Sequence, residues 1–311
     1  MMDLMYQYSL AGCERPLLQA KFRELSDLQN VLNANNYGES SRVSCLSSAR
    51  SRLQSGDDRP FLQLIQSHQM NQWMEQVLRG TSHVGHDSDC DPMSRAIVTK
   101  VMFVWNPKLW ESYSRDKARI RSVRCCGGQR LDRIQMSTAT ERMQMSCGQA
   151  LHWVKLDKDL NDIWAFHGTR SDRAKNISST GFDTGRILHG YYGRGFYLAQ
   201  ESCKAYQYTD IGRFGEHANA QEGCIIVFRA VVGQPEYITA QDPSKMEPAT
   251  GCDAVVVNPG EEGGPPLQQH QELCLFNKNQ THPEFIVYFR IPSEVEWEDM
   301  MRFPSLRTVA N

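Results

Sequence analysis

Three short stretches in the second half of the chain carry side chains that could act together on a sugar-bearing ligand. The first is Phe166-His167-Gly168-Thr169. An imidazole ends an apolar run and can bond a sugar hydroxyl. Gly168 lets a ligand approach the backbone closely, and Thr169 adds a hydroxyl. The second is Gly190–Ala199, where three glycines and three tyrosines fall within eight residues. Tight backbone beside flat aromatic rings suits a planar group lying against main chain. Tyr208, eleven residues past Tyr197, offers the second face of a stack. The third is Pro283–Phe289, where Glu284 heads a very apolar strand. A carboxylate in such a place is desolvated unless paired, which pushes its pKa upward. Each stretch also has a plain structural explanation: a satisfied strand-end histidine, a hairpin packed by aromatics, an exposed strand-end glutamate.

The elements that must position these residues follow from hydrophobic period. Residues 16–32 read as a helix, with Pro16 at its start and Leu18, Phe22, Leu25, Leu28 and Leu32 on one face. Residues 40–56 hold seven serines and three arginines and read as a linker or loop. A second helix is predicted over 60–79, from Pro60 to Gly80. Ala96–Trp105 reads as a strand, and Asn106-Pro107 starts a helix after it. From about residue 162, short β-like runs alternate with turns at 163–167, 195–199, 224–232, 253–257, 272–276 and 284–290, with helical candidates at 171–179 and 201–209. Many short strands with few helices argue for an α+β domain with packed antiparallel sheet, not alternating βαβ units.

Composition excludes several classes. The chain has 311 residues, 40% hydrophobic and 23% charged, with a net charge of −2. These values fit a globular protein with a real core and exclude collagen-like or wholly disordered chains. The longest apolar runs fall far short of the ~20 residues of a membrane span, so no membrane association is expected. Met1-Met2-Asp3 lacks the basic start of a secretion signal, and ten cysteines are scattered along the chain. They read as reduced thiols of an intracellular protein, cytoplasmic or nuclear. His83, His86 and Cys90 resemble half a zinc site, but Cys125-Cys126 lacks the usual second-half spacing, and a polar loop is the simpler reading. Residues 115–133 carry seven Lys/Arg against two Asp. That run could meet nucleic acid, although a solvated helix face is favoured.

In order and spacing, 30 and 87 residues apart, His167, Tyr197 and Glu284 resemble the His-Tyr-Glu triad of the poly(ADP-ribose) polymerase family, the diphtheria-toxin-like ADP-ribosyltransferases. The resemblance extends to Val104–Tyr113 (VWNPKLWESY), Gly181-Phe182-Asp183 and Asp253–Val256, and so covers about residues 95–291. It implies an α+β fold with a split antiparallel sheet. The implied division is a mainly helical N-terminal region at 1–93, a catalytic domain at 94–292 and a tail at 293–311.

By that resemblance, His167 holds a ribose hydroxyl of NAD and the Gly168 backbone binds the nicotinamide amide. Tyr197 lies against the nicotinamide ribose, Tyr208 stacks on the nicotinamide ring, and Tyr191 lines the same pocket. Thr169 and Gly195 complete the stretches that bind NAD, and Glu284 is the triad acid, which in that family accompanies chain elongation and so permits polymer formation. One position departs from the family: a serine commonly found eight residues after the triad tyrosine is Ala205 here. The lost hydrogen bond is worth about 0.5–1.5 kcal/mol, with Ser202 as the compensating hydroxyl. The implied reaction consumes NAD, needs no metal and passes ADP-ribose to a protein acceptor, which could be the protein itself. Mono-transfer is slightly favoured over polymer formation, because the Asn106–Glu111 segment is most like members that transfer one unit. The alternative is a weak or inactive module of the same fold that binds NAD or ADP-ribose.

Overall fold

The most apolar runs of the chain become its central strands. The computed structural model describes residues 16–34, 51–52, 55–82, 90–124, 131–134, 155–183, 185, 190–215, 220–257 and 270–302. Among these, nine strands form one sheet: β1 (Phe61–Ile65), β2 (Ile97–Trp105), β3 (Asp162–Thr169), β4 (Phe196–Ala199), β5 (Gly223–Val231), β6 (Pro235–Ile238), β7 (Ala254–Val257), β8 (Glu272–Leu275) and β9 (Thr281–Arg290). Their order is β1-β2-β9-β5-β3-β4-β8-β7-β6. Every pair is antiparallel except β6 with β7. This is the α+β architecture expected. The helices are α1 (Pro16–Ala34), α2 (His68–Gly80), α3 (Pro107–Arg124), α4 (Ser171–Thr180), α5 (Ser202–Tyr206) and α6 (Glu294–Arg302). None of them is long and apolar enough to cross a membrane.

Side chains alternate across a strand, so the sheet carries two cores. On one face Trp164, Phe166, Ile225, Val227, Phe285 and Val287 pack with Leu25, Leu28 and Leu32 of α1 and Trp73 and Val77 of α2. On the other, Ile163, Ala165, Ile226, Phe228 and Ile286 pack with Ala174 and Phe182.

One sequence expectation changes. Residues 60–79 are not one helix: Phe61–Ile65 pairs with β2, Phe61 opposite Trp105 through Ile65 opposite Val101. The helix begins only after Ser67, whose hydroxyl accepts from the Met70 N–H at 3.3 Å. A short apolar run is ambiguous between helix and strand, and here an open sheet edge decides it. Strand β1 extends the sheet and α1 shares its core, because the apolar stripe of α1 must be buried somewhere. Residues 294–302 of the expected tail are helical. Most of the serine-rich stretch, His83, His86, Cys125 and Cys126 lie outside the described residues. In the basic stretch, Arg115, Lys117, Arg119, Arg121 and Arg124 pair with Glu111, Asp162, Asp116, Asp157 and Asp253 respectively, which neutralises that face.

A buried ion cluster ties α1 to the sheet. Arg229 of β5, 1% exposed, donates to Glu284 Oε1 at 2.9 Å and to both oxygens of Glu24 at 2.9 and 3.1 Å. Lys21 also donates to Glu284. The Trp164 indole N–H donates to Glu284 Oε2 at 2.8 Å. Two cations and two anions balance beneath Trp110, whose ring lies 4.6 Å from Lys21 Nζ and 5.4 Å from the Arg229 guanidinium carbon. Burial alone would raise the Glu284 pKa, but Arg229 and Lys21 hold it down to about 2.

Removing Arg229 should therefore leave two buried carboxylates to share the single charge of Lys21. Arg229→Met is expected to lose about 3–5 kcal/mol of unfolding free energy, measured by urea titration. Acid should act in the same sense. Glu284 has a depressed folded pKa, so its contribution is present at neutral pH and is lost as pH falls from its ordinary 4.5 towards about 2. Burial keeps His282 neutral, with Lys21 working in the same direction, so the unfolded chain takes up a proton there first, below about pH 6.5. A thermal midpoint that held steady from neutral pH to pH 3 would contradict both assignments.

Candidate active site

Strands β3 and β4 are joined at a single register pair, Phe166 opposite Ala199. The sheet splits there, and a cleft of about 550 Å³ opens beside the split. Its walls come from His167 and Gly168 at the end of β3, from Tyr197 to Ala199 of β4, and from Lys204, Ala205 and Tyr208 in and after α5. Gly190, Tyr191, Tyr192, Pro243 and Glu272 complete it.

His167 bridges the split. Its Nδ1 lies 3.0 Å from the Tyr197 carbonyl, which only accepts, so Nδ1 carries the proton. Burial pushes the imidazole pKa down, outweighing that bond. The ring is neutral at physiological pH, and its Nε2 is an acceptor for a hydroxyl. Phe182 and Phe228 contact the ring edge-on, at 5.0 and 6.3 Å between centroids, and fix its plane.

Tyr197 shapes the loop before it. Its hydroxyl donates to the Gly193 carbonyl at 2.8 Å and accepts from the Tyr192 N–H at 2.9 Å. Burial raises its pKa far above the usual phenol range, so it stays protonated and acts as wall and clamp. Glycine is required where backbones meet. A Cβ on Gly168 would lie 1.6 Å from the Ala205 carbonyl oxygen, and one on Gly190 would lie 2.4 Å from the Tyr197 hydroxyl. Tyr191 and Tyr208 are 51% and 44% exposed, large flat surfaces at the rim.

The predicted residues divide into two groups. His167, Gly168, Tyr191, Tyr197 and Tyr208 line one cleft. Glu284 does not. It is fully buried among Arg229, Lys21 and Trp164, and a β-bulge accounts for its placement. Val227 pairs with Phe285, but Phe228 pairs with Pro283, so Glu284 is the extra residue. Without the bulge it would stand opposite Phe228, on the face that carries His167. With it, the side chain joins Trp164 and Arg229 on the other face. Ser202 also turns away, donating to the Leu78 carbonyl at 2.5 Å, and so does not replace the hydroxyl missing at Ala205. Thr169 and Gly195 are not among the lining residues: Thr169 is buried, and Gly195 packs against Cys274 and Leu275.

Two charged cleft residues were missed. Lys204, 2% exposed, pairs with Glu272 at 3.5 Å and lies 5.4 Å from the centre of the Tyr208 ring. Burial pushes the Glu272 carboxyl up, with Lys204 pulling against it. Glu272 heads an apolar strand just as Glu284 does, so the signal that pointed to Glu284 was present here as well.

Comparison with known proteins agrees with this geometry. The poly(ADP-ribose) polymerase catalytic domain model matches residues 92–291. A segment of 111 residues is 29% identical to protein mono-ADP-ribosyltransferase PARP3 of Mus musculus, covering 36% of this chain and 20% of that protein. The family match spans well over half of the chain and contains every element that walls the cleft, so the chain belongs to the poly(ADP-ribose) polymerase catalytic-domain family.

Proposed function

We propose that this protein cleaves the nicotinamide–ribose bond of NAD and transfers a single ADP-ribose unit to a protein acceptor. The observation that carries the reading is His167: a neutral imidazole with Nδ1 committed to the Tyr197 carbonyl and Nε2 left to accept a ribose hydroxyl, in a cleft walled by tyrosines. In this reading the nicotinamide amide meets the Gly168 backbone, where no side chain intervenes, and Tyr208 covers the ring.

Bond cleavage builds positive charge on the ribose. A neutral histidine holds the sugar without opposing that charge, which is an orientation contribution. Glu272 is the sole carboxylate among the described lining residues, and Lys204 pairs with it, so the two together add little net charge to the cleft. Glu284, the acid that the triad resemblance ties to chain elongation, is held in the Arg229 cluster. That placement favours mono-transfer.

A second reading has its own support. Ala205 presents no hydroxyl and Glu284 is withdrawn, so the cleft could bind NAD or ADP-ribose without turnover. Incubation with labelled NAD separates the two. Nicotinamide release with single ADP-ribose units on protein is expected, whereas stoichiometric NAD binding with no release would establish the binding module.

Variants test the residue roles. His167→Ala should lower kcat/KM about 10- to 100-fold, equivalent to about 1.4–2.8 kcal/mol of lost transition-state stabilisation. Glu284→Gln should lower stability while leaving the NAD dissociation constant within about twofold, because the group does not reach the cleft. A folded Glu284→Gln protein that has lost NAD binding would refute this placement of function. Ala205→Ser should tighten NAD binding by about 0.5–1.5 kcal/mol, a factor of about 2–12 by calorimetry.

A further inference from the structure

Cys90, Cys203 and His270 come together from three distant parts of the chain. All three are buried, at 0%, 0% and 1% exposure. One donor atom from each lies within 4.8 Å of the other two. Cys90 Sγ is 3.5 Å from His270 Nε2, and the Cys203 thiol also hydrogen-bonds the His270 ring.

We propose that these residues form a zinc site that holds the walls of the cleft together. The donor set is right for the metal: two soft sulfurs and an imidazole suit zinc and leave its fourth tetrahedral corner to water. The spacing is right as well. Bonds of about 2.3 Å to sulfur and about 2.0–2.1 Å to nitrogen, at the tetrahedral angle, put the two donors about 3.6 Å apart. That is the separation found between Cys90 and His270 with small adjustment. On binding, both thiols give up their protons to solvent and the imidazole coordinates in its neutral form, so the site gains a net neutral Zn(thiolate)₂ unit.

The position gives the ion a role. Cys203 lies in α5, and the next two residues, Lys204 and Ala205, wall the cleft. His270 precedes Glu272, another wall residue, by two positions. Cys90 caps the turn Asp91–Arg95 that leads into β2. One ion would therefore join the approach to β2 with both the α5 and β8 sides of the cleft. The sequence-level expectation that no metal is needed concerned the bond-breaking step, and this site lies behind the cleft wall.

The full chain, purified without chelator and dialysed against metal-free buffer, tests the proposal by elemental analysis. The expected content is about one zinc per chain, released when the thiols are blocked with a mercurial reagent. Replacement by cobalt(II) should give sulfur-to-metal charge-transfer absorption, which a hydrogen-bonded thiol cluster cannot produce. Cys90→Ser and His270→Ala should each weaken zinc binding at least about 100-fold, and Cys252→Ser, outside the cluster, should retain it. Zinc-free wild-type protein that takes up neither zinc nor cobalt overturns the proposal. So does a Cys90–Cys203 disulfide in the unreduced peptide map, or undiminished zinc in the folded Cys90→Ser variant. If the variants fail to fold, the wild-type metal content and cobalt spectrum still decide the matter.

Discussion

A guanidinium buried as deeply as that of Arg229 carries a desolvation cost of several kcal/mol unless carboxylates meet it with good geometry. Two do, and their origins explain much of the molecule. Glu24 comes from α1 and Glu284 from β9, so the same cation fixes the N-terminal helix on the sheet and selects the register of the central strands. Lys21 supplies the second positive charge that makes the cluster neutral. None of these groups could be buried alone. Helix α1 is thus tied to the sheet by charge as well as by its apolar face.

The bulge at Glu284 links that cluster to chemistry. One additional residue in β9 decides which face of the sheet receives the acid. On the Arg229 face it is a structural counter-ion with a strongly depressed pKa. On the His167 face it would border the cleft. What remains near His167 is a neutral imidazole, two exposed tyrosines and the Lys204–Glu272 pair. That environment offers a hydroxyl acceptor and flat aromatic surfaces while adding little net charge. Such a site favours positioning over strong electrostatic stabilisation.

Much of this was legible in the sequence. The strands around β3, β5 and β9 announce themselves as apolar runs too short for core helices, and the α1 face shows a clear helical period. His167, Gly168 and the Gly-Tyr stretch were readable because tight turns and close approach demand those residue types. The failures have physical causes. Strand β1 was hidden because Phe61–Ile65 and α2 lie almost end to end, and only the open edge of β2 separates them. Glu284 was misplaced because alternation predicts a face only while the register is regular, and Pro283 beside it, a residue that central strands admit at a bulge, was not read as one. Ser202 was misread because the helix it occupies is only five residues long, and its hydroxyl finds the Leu78 carbonyl from a packed neighbour. Lys204 and Glu272 needed each other to be noticed, and 68 positions separate them in the chain.

The single pair between β3 and β4 leaves a mechanical problem that the rest of the site answers. Strand pairing alone cannot fix the distance across the cleft, because on one side of Phe166–Ala199 the ladder stops. Three contacts take over from it. The His167–Tyr197 hydrogen bond spans the split itself. The Ala205 carbonyl sits against Gly168 with no room for a side chain, so α5 cannot recede without opening a void or advance without a clash. Behind α5, Cys203 meets Cys90 and His270. Each contact joins the β3 side, or the chain leading into β2, to the elements that carry Tyr197, Lys204 and Glu272. A site whose chemistry depends on orientation must have its two walls tied at several points, and these ties lie where the sheet provides none.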